Sequence, residues 1–220
     1  MKRFYFLSLV LTATIMSCVD SKPSTETEVV KINPETYWGE SPWTEIRKKR
    51  IGQLLPKALK AANVDCWLVI CRENNNDPMA DHIGGENAGG TAAFLFFNDD
   101  EGFHSLVFSP SGESTALDDL DIHDEVVSVE RGTSAVGMAA EFIKDKDFET
   151  VAVNSSQSNS MADGLSYTQR QDLEDQLGDL SNRLVSSTEL VYEWLSIKLP
   201  EEVEILRKAA QLTADWQIEA

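Results

Sequence analysis

The chain has 220 residues, with 19 Lys and Arg against 37 Asp and Glu and a formal net charge of −18. That balance argues against nucleic acid as a partner, because neutralising phosphates takes clustered Lys and Arg. It also leaves the chain unable to hold an anionic membrane by charge. The acid excess reads as a solubility device, and the length suffices for one domain with a large core.

The first residues, Met1-Lys2-Arg3, are positive, and an apolar run follows from Phe4 to Met16, broken by Ser8, Thr12 and Thr14. A membrane-spanning helix needs about 20 apolar residues, so this run has the length of a signal-peptide h-region instead. It ends at Ile15-Met16-Ser17-Cys18. This resembles the bacterial lipobox, with an aliphatic residue three before the Cys and a small one just before it; Met16 is bulkier than usual. The expectation is a leader over 1–17 and a lipid on Cys18. Each buried methylene adds about 0.8 kcal/mol, so several chains on one Cys would anchor stably. The alternative is an ordinary secretory signal with an incidental Cys. Val19 rather than Asp follows Cys18, which by analogy with lipoprotein sorting favours the outer membrane. Residues 18–40, rich in Ser, Thr, Glu and Pro, read as a disordered tether.

A folded domain is expected over 41–197. Ser41-Pro42 has the form of an N-cap and first helical residue. Ile51, Leu54, Leu55, Ala58, Leu59 and Ala62 then share one helical face, and Pro56 within it should kink or restart the helix. Residues 65–71 form a continuous apolar run, which predicts a strand buried on both faces. Ala92–Phe97 and Phe103–Phe108, joined by Asn98-Asp99-Asp100-Glu101-Gly102, predict a β-hairpin. Val126–Val129, Thr150–Val153 and Arg183–Ser186 read as strands. Ser134–Lys144, Tyr167–Leu177 and Glu189–Ile197 read as helices, the second polar except for Leu173 and Leu177. Strands alternating with helices give an α/β fold with a mixed sheet flanked by helices. Residues 198–220 start a further helix, with Pro200 in its first turn and Glu201 and Glu202 at its positive end. Ile205, Ala209, Leu212 and Trp216 form an apolar stripe on it. No Gly or Pro closes the pattern before Ala220, so this helix reads as cut through or awaiting a partner.

Motifs with chemistry are scarce. HExxH, GxSxG, P-loop and GxGxxG patterns are all missing from the sequence. His82, His104 and His123 are scattered and read as ordinary core or surface residues. Cys66 and Cys71 lie five apart on one predicted strand and so point to opposite faces, which makes them free buried thiols rather than a bridge. The Gly84–Gly90 run opens no helix and includes Glu86, which argues against a phosphate cradle. The pairs Asp99-Asp100 and Asp118-Asp119 read as solvated turns. The most suggestive segment is Arg72-Glu73-Asn74-Asn75-Asn76-Asp77-Pro78, directly after the buried strand. Loops at the carboxyl ends of strands tend to bind ligands in α/β sheets, and Arg72 could hold a carboxylate bidentately. Its other reading is a polar loop shaped by Asx turns.

Taken in order, several segments resemble one family. They are Leu55-Pro56-Lys57-Ala58-Leu59, Val64-Asp65-Cys66-Trp67-Leu68-Val69-Ile70, the Arg72–Pro78 loop, Ser186-Ser187, and Ile197-Lys198-Leu199-Pro200-Glu201-Glu202 running on to Ala210. Together they are similar to the N-terminal domain of the pita-bread metallopeptidases: Xaa-Pro aminopeptidases, prolidases and creatinase. The likeness covers roughly 44–220, and Lys198–Ala210 resembles the helix leading into the catalytic domain. It implies a creatinase N-terminal-domain fold. It also implies a homodimer, and an Arg72–Pro78 loop, with Arg72, Asn75 and Asp77, that narrows access to an active site. In that family two divalent metals sit on two Asp, one His and two Glu of the C-terminal domain. No residue here matches them, so neither metal ligands nor catalytic residues are expected in this chain. Ile205, Leu212 and Trp216 would face the absent pita-bread domain. The competing expectation is a stand-alone envelope lipoprotein serving as a binding module.

Overall fold

Six apolar residues in a row leave no side of a strand for water, and Cys66–Cys71 (β1) is accordingly buried at every position. It lies inside a six-stranded sheet and pairs antiparallel with β2 (Ala92–Asp99), Leu68 opposite Leu95. The computed structural model describes residues 41–219 apart from Asn75; Cys18, the proposed leader and the tether lie outside the described residues. The hairpin partner β3 (Gly102–Pro110) continues the antiparallel pairing, and β4 (Glu125–Val129) joins it in parallel. On its other side β1 pairs in parallel with β5 (Val151–Val153), which pairs in parallel with β6 (Leu184–Ser186). The order is β4-β3-β2-β1-β5-β6. The sheet is mixed and antiparallel at the hairpin, as expected.

Helices cover both faces, because alternate residues of β1 and of the Ala92–Phe97 part of β2 point oppositely and all are apolar. Trp67, Val69, Cys71, Phe94 and Phe96 face α1 (Trp43–Lys49), α2 (Leu55–Ala61) and α7 (Thr188–Ser196), packing with Ile51, Leu55, Leu59, Leu190 and Trp194. Cys66, Leu68, Ile70, Leu95 and Phe97 face α5 (Ala135–Lys146) and α6 (Tyr167–Leu177), packing with Val136, Ala139, Ile143, Leu173 and Leu177. The two cysteines lie in opposite cores and are free. Two one-turn helices, α3 (Ala80–Ile83) and α4 (Ser114–Asp118), carry too few residues to show a period and were not anticipated.

Local chemistry sets the boundaries. Pro56 has no N–H for the fourth residue back, and the helix answers with a π-turn at Arg50–Leu54 before α2 restarts. Asn63, at φ 54°, ends α2 in the left-handed region. Ser134 caps α5 by accepting from the Gly137 N–H at 3.1 Å. An isolated helix as short as α6 is marginal in water; a capping box between Ser166 and Gln169 and the burial of Leu173 and Leu177 hold it here. The last helix, α8 (Pro200–Glu219), starts with Glu201 and Glu202 in its first turn.

Candidate functional site

β1 and β5 run in parallel, so their carboxyl ends and the loops after them meet at one edge of the domain. There the Trp67 indole N–H donates to Asn154 Oδ1 at 2.8 Å, and the Ser187 hydroxyl donates to the same oxygen at 2.6 Å. Asn154 Nδ2 donates in turn to Asp77 Oδ1 at 2.8 Å, which also accepts the Met79 N–H at 2.8 Å. All four side chains are buried. Burial pushes the Asp77 carboxyl up to about 6, against the two hydrogen bonds that favour its charge; Asp163 adds to the rise. The Asn154 carbonyl also accepts Gly164 and Leu165 N–H groups, tying the loop after β5 to the same point.

This places the three candidate loop residues separately. Asp77 turns inward to Asn154. Arg72 is half-buried, and its backbone N–H donates to Asn76 Oδ1 at 3.1 Å. Asn75 lies outside the described residues. Asn76, not singled out from sequence, organises the loop: its side-chain oxygen accepts from Arg72 and Asp77, and its amide donates to the Gly85 carbonyl at 2.8 Å. Asn154 and Ser187 were missed as well. The available signal for Asn154 was its place directly after the short apolar strand β5; Ser187 follows Ser186 and carried no such sign.

The Gly-rich run does receive an anion, but an internal one. Gly89 and Gly90 N–H groups donate to the Glu113 carboxylate at 3.0 and 2.8 Å. Asp99 corrects the reading of a merely solvated turn: it binds Lys146 at 3.0 Å and His104 at 2.8 Å, and Lys146 first among them holds its carboxyl down to about 2. Asp118 and Asp119 are exposed. The histidines are packing residues. His82 lies edge-on between Trp43 and Trp194, His104 stacks on Phe97, and His123 donates to the Ile83 carbonyl. Burial pushes His123 down to about 4, so it is neutral near pH 7.

Other concavities hold little chemistry. A cleft of about 430 Å³ at the ends of β3 and β4 is lined by residues including Thr91, Pro110, Glu130, Arg131 and Thr133. Among the described residues no group of three or more His, Cys, Asp or Glu is placed to hold a metal ion. Among the same residues no helix is long and apolar enough to cross a membrane. On α8, Ile205 and Trp216 are 45% and 68% exposed, Leu212 is half-buried, and Leu206 and Ile218 add to the apolar surface.

A six-stranded mixed sheet covered on both faces and closed by a long helix is a creatinase N-terminal-like α/β fold. The X-Pro aminopeptidase of Thermotoga maritima MSB8 shares it, with a TM-score of 0.52 at 15% identity over 74% of this chain and 42% of that one. The Xaa-Pro dipeptidase of Bacillus anthracis matches at 16% identity and a TM-score of 0.49, over 76% of this chain and 40% of that one. The chain thus spans about two fifths of either protein's length. No family profile and no curated protein matches the sequence.

Proposed function

We propose that this chain is the non-catalytic N-terminal part of a lipid-anchored, Xaa-Pro aminopeptidase-like metallopeptidase. The observation that carries the reading is the fold shared with the Thermotoga maritima X-Pro aminopeptidase, together with the 42% of that chain it accounts for. Its role is to support a homodimer and to narrow access to an active site through the Arg72–Pro78 loop. The apolar surface of α8, from Ile205 to Trp216, would pack on a catalytic domain that carries the two divalent metals. The lipid on Cys18 would hold the assembly at the outer membrane. Hydrolysis of a peptide bond beside proline, with a metal-bridging water as nucleophile, would belong to that second domain.

The test is the reading frame beyond the Ala220 codon. A continuing frame with two Asp, one His and two Glu in pita-bread order supports the enzyme. A stop codon with no adjacent frame of that kind refutes it and leaves the stand-alone envelope module. The 220-residue chain alone, supplied with manganese and a proline-containing peptide, should show no turnover. For the anchor, Cys18→Ser should abolish labelling by a radioactive fatty acid and release the protein from the detergent phase; unchanged partitioning would refute the lipid.

A further inference from the structure

α8 is rooted at one point. Leu199, just before its first turn, is buried, whereas every residue from Glu204 to Gln211 is exposed. At that root lies Arg50, 2% exposed, on the π-turn between α1 and α2. Its Nη2 donates to the Trp194 carbonyl at 2.6 Å, and its Nη1 to the Ile197 carbonyl at 3.1 Å. Both carbonyls belong to the C-terminal end of α7, where the last C=O groups lack helical partners and carry partial negative charge. Nη1 also donates to both oxygens of Glu202, at 3.0 and 2.7 Å. Glu202 Oε2 accepts the Leu199 N–H at 2.8 Å, the reach-back of a carboxylate at the third position of a helix. The indole N–H of Trp194 returns to the Arg50 carbonyl at 3.1 Å, and the guanidinium lies 5.5 Å over that ring.

We propose that Arg50 is a pin that sets the direction of α8: one buried cation joins the end of α7 to the carboxylate that caps the start of α8. Arg50 does this in the chain as it stands, independently of the family reading above. Two features single it out. The adjacent pair Lys49–Glu201 is substantially exposed, and exposed pairs hold geometry poorly. Guanidinium, unlike ammonium, can meet a carboxylate and two carbonyls in fixed directions at once. The leverage is large. A helix of 20 residues is about 30 Å long, so a tilt of about 10° at its root moves its tip by about 5 Å.

The experiment uses the full chain carrying Cys18→Ser, with nitroxides at Lys60→Cys on α2 and Gln211→Cys on α8; Cys66 and Cys71 are buried and stay unlabelled. Pulsed dipolar spectroscopy should give one narrow distance distribution. Gln211 lies about 17 Å along α8 from its root, so Arg50→Met and Glu202→Gln should each broaden it by about 3 Å, while Lys49→Ala leaves it narrow. Glu202→Gln keeps an oxygen for the Leu199 N–H, so it decides the matter if Arg50→Met does not fold. An unchanged width in a folded Arg50→Met or Glu202→Gln protein overturns the pin. So does a broad distribution in the parent, or equal broadening from Lys49→Ala.

Discussion

Replacing Asp77 by Asn should change how stability depends on pH. The carboxyl titrates near 6 in the folded protein against 3.8 in the unfolded chain, mainly because burial penalises its charge. Between those values the folded state holds the proton more tightly, so stability falls as pH rises through the window. One pKa unit corresponds to about 1.4 kcal/mol, which makes the loss roughly 2 to 3 kcal/mol between pH 4 and pH 7. Asn keeps an oxygen for the Met79 N–H and the Asn154 amide but cannot ionise. Urea unfolding of both proteins at pH 4, 5, 6 and 7 measures the difference directly. The stability of Asp77→Asn relative to the parent should rise by roughly 2 to 3 kcal/mol across the series, whatever constant offset the extra amide N–H introduces. Asp99, whose carboxyl is held low by Lys146, titrates in both proteins and cancels. A difference that stays flat from pH 4 to pH 7 would show that the Asp77 carboxyl is not desolvated as described.

Asn154→Leu should destabilise by about 2 to 4 kcal/mol in the same assay, because it strands the buried Trp67 N–H and Ser187 hydroxyl. Gly85→Ala should cost about 1 to 3 kcal/mol, since a Cβ there would overlap Cys71 Sγ. Adding Cys71→Ala should recover part of that loss, and strictly additive costs would refute the contact. In the Cys18→Ser protein neither Cys66 nor Cys71 should react with a thiol reagent until denaturant is added, because burial raises both thiols and disfavours the thiolate. Prompt reaction of either under native conditions would contradict its placement.

Much of this architecture is legible along the chain because it follows from local periodicity. The all-apolar run of β1, the hairpin around Asp99–Gly102, the restart at Pro56 and the Pro-Glu-Glu opening of α8 each lie within one short segment. Side-chain alternation alone puts Cys66 and Cys71 on opposite faces. The Gly-rich run shows the limit of that method. Its composition argued against a phosphate cradle but gave no sign that Gly89 and Gly90 bind the carboxylate of Glu113, a residue 23 positions beyond Gly90.

The six strands, the longer helices and the apolar stripe of α8 can be read from the chain alone, since these depend on neighbours a few residues apart; the one-turn helices α3 and α4 cannot. Which polar groups pair depends on how the chain closes in three dimensions. Asp77 meets Asn154 across 77 residues, and Arg50 meets Glu202 across 152. The parallel pairing of β1 with β5 creates the first contact, and the packing of α7 against α2, which brings Trp194 to Arg50, creates the second. A lone Asp after a strand or an Arg in a basic helix carries no local sign of either. Their partners exist because the sheet and its helices closed around them, and burying a charged group in such a place costs several kcal/mol unless a partner is there.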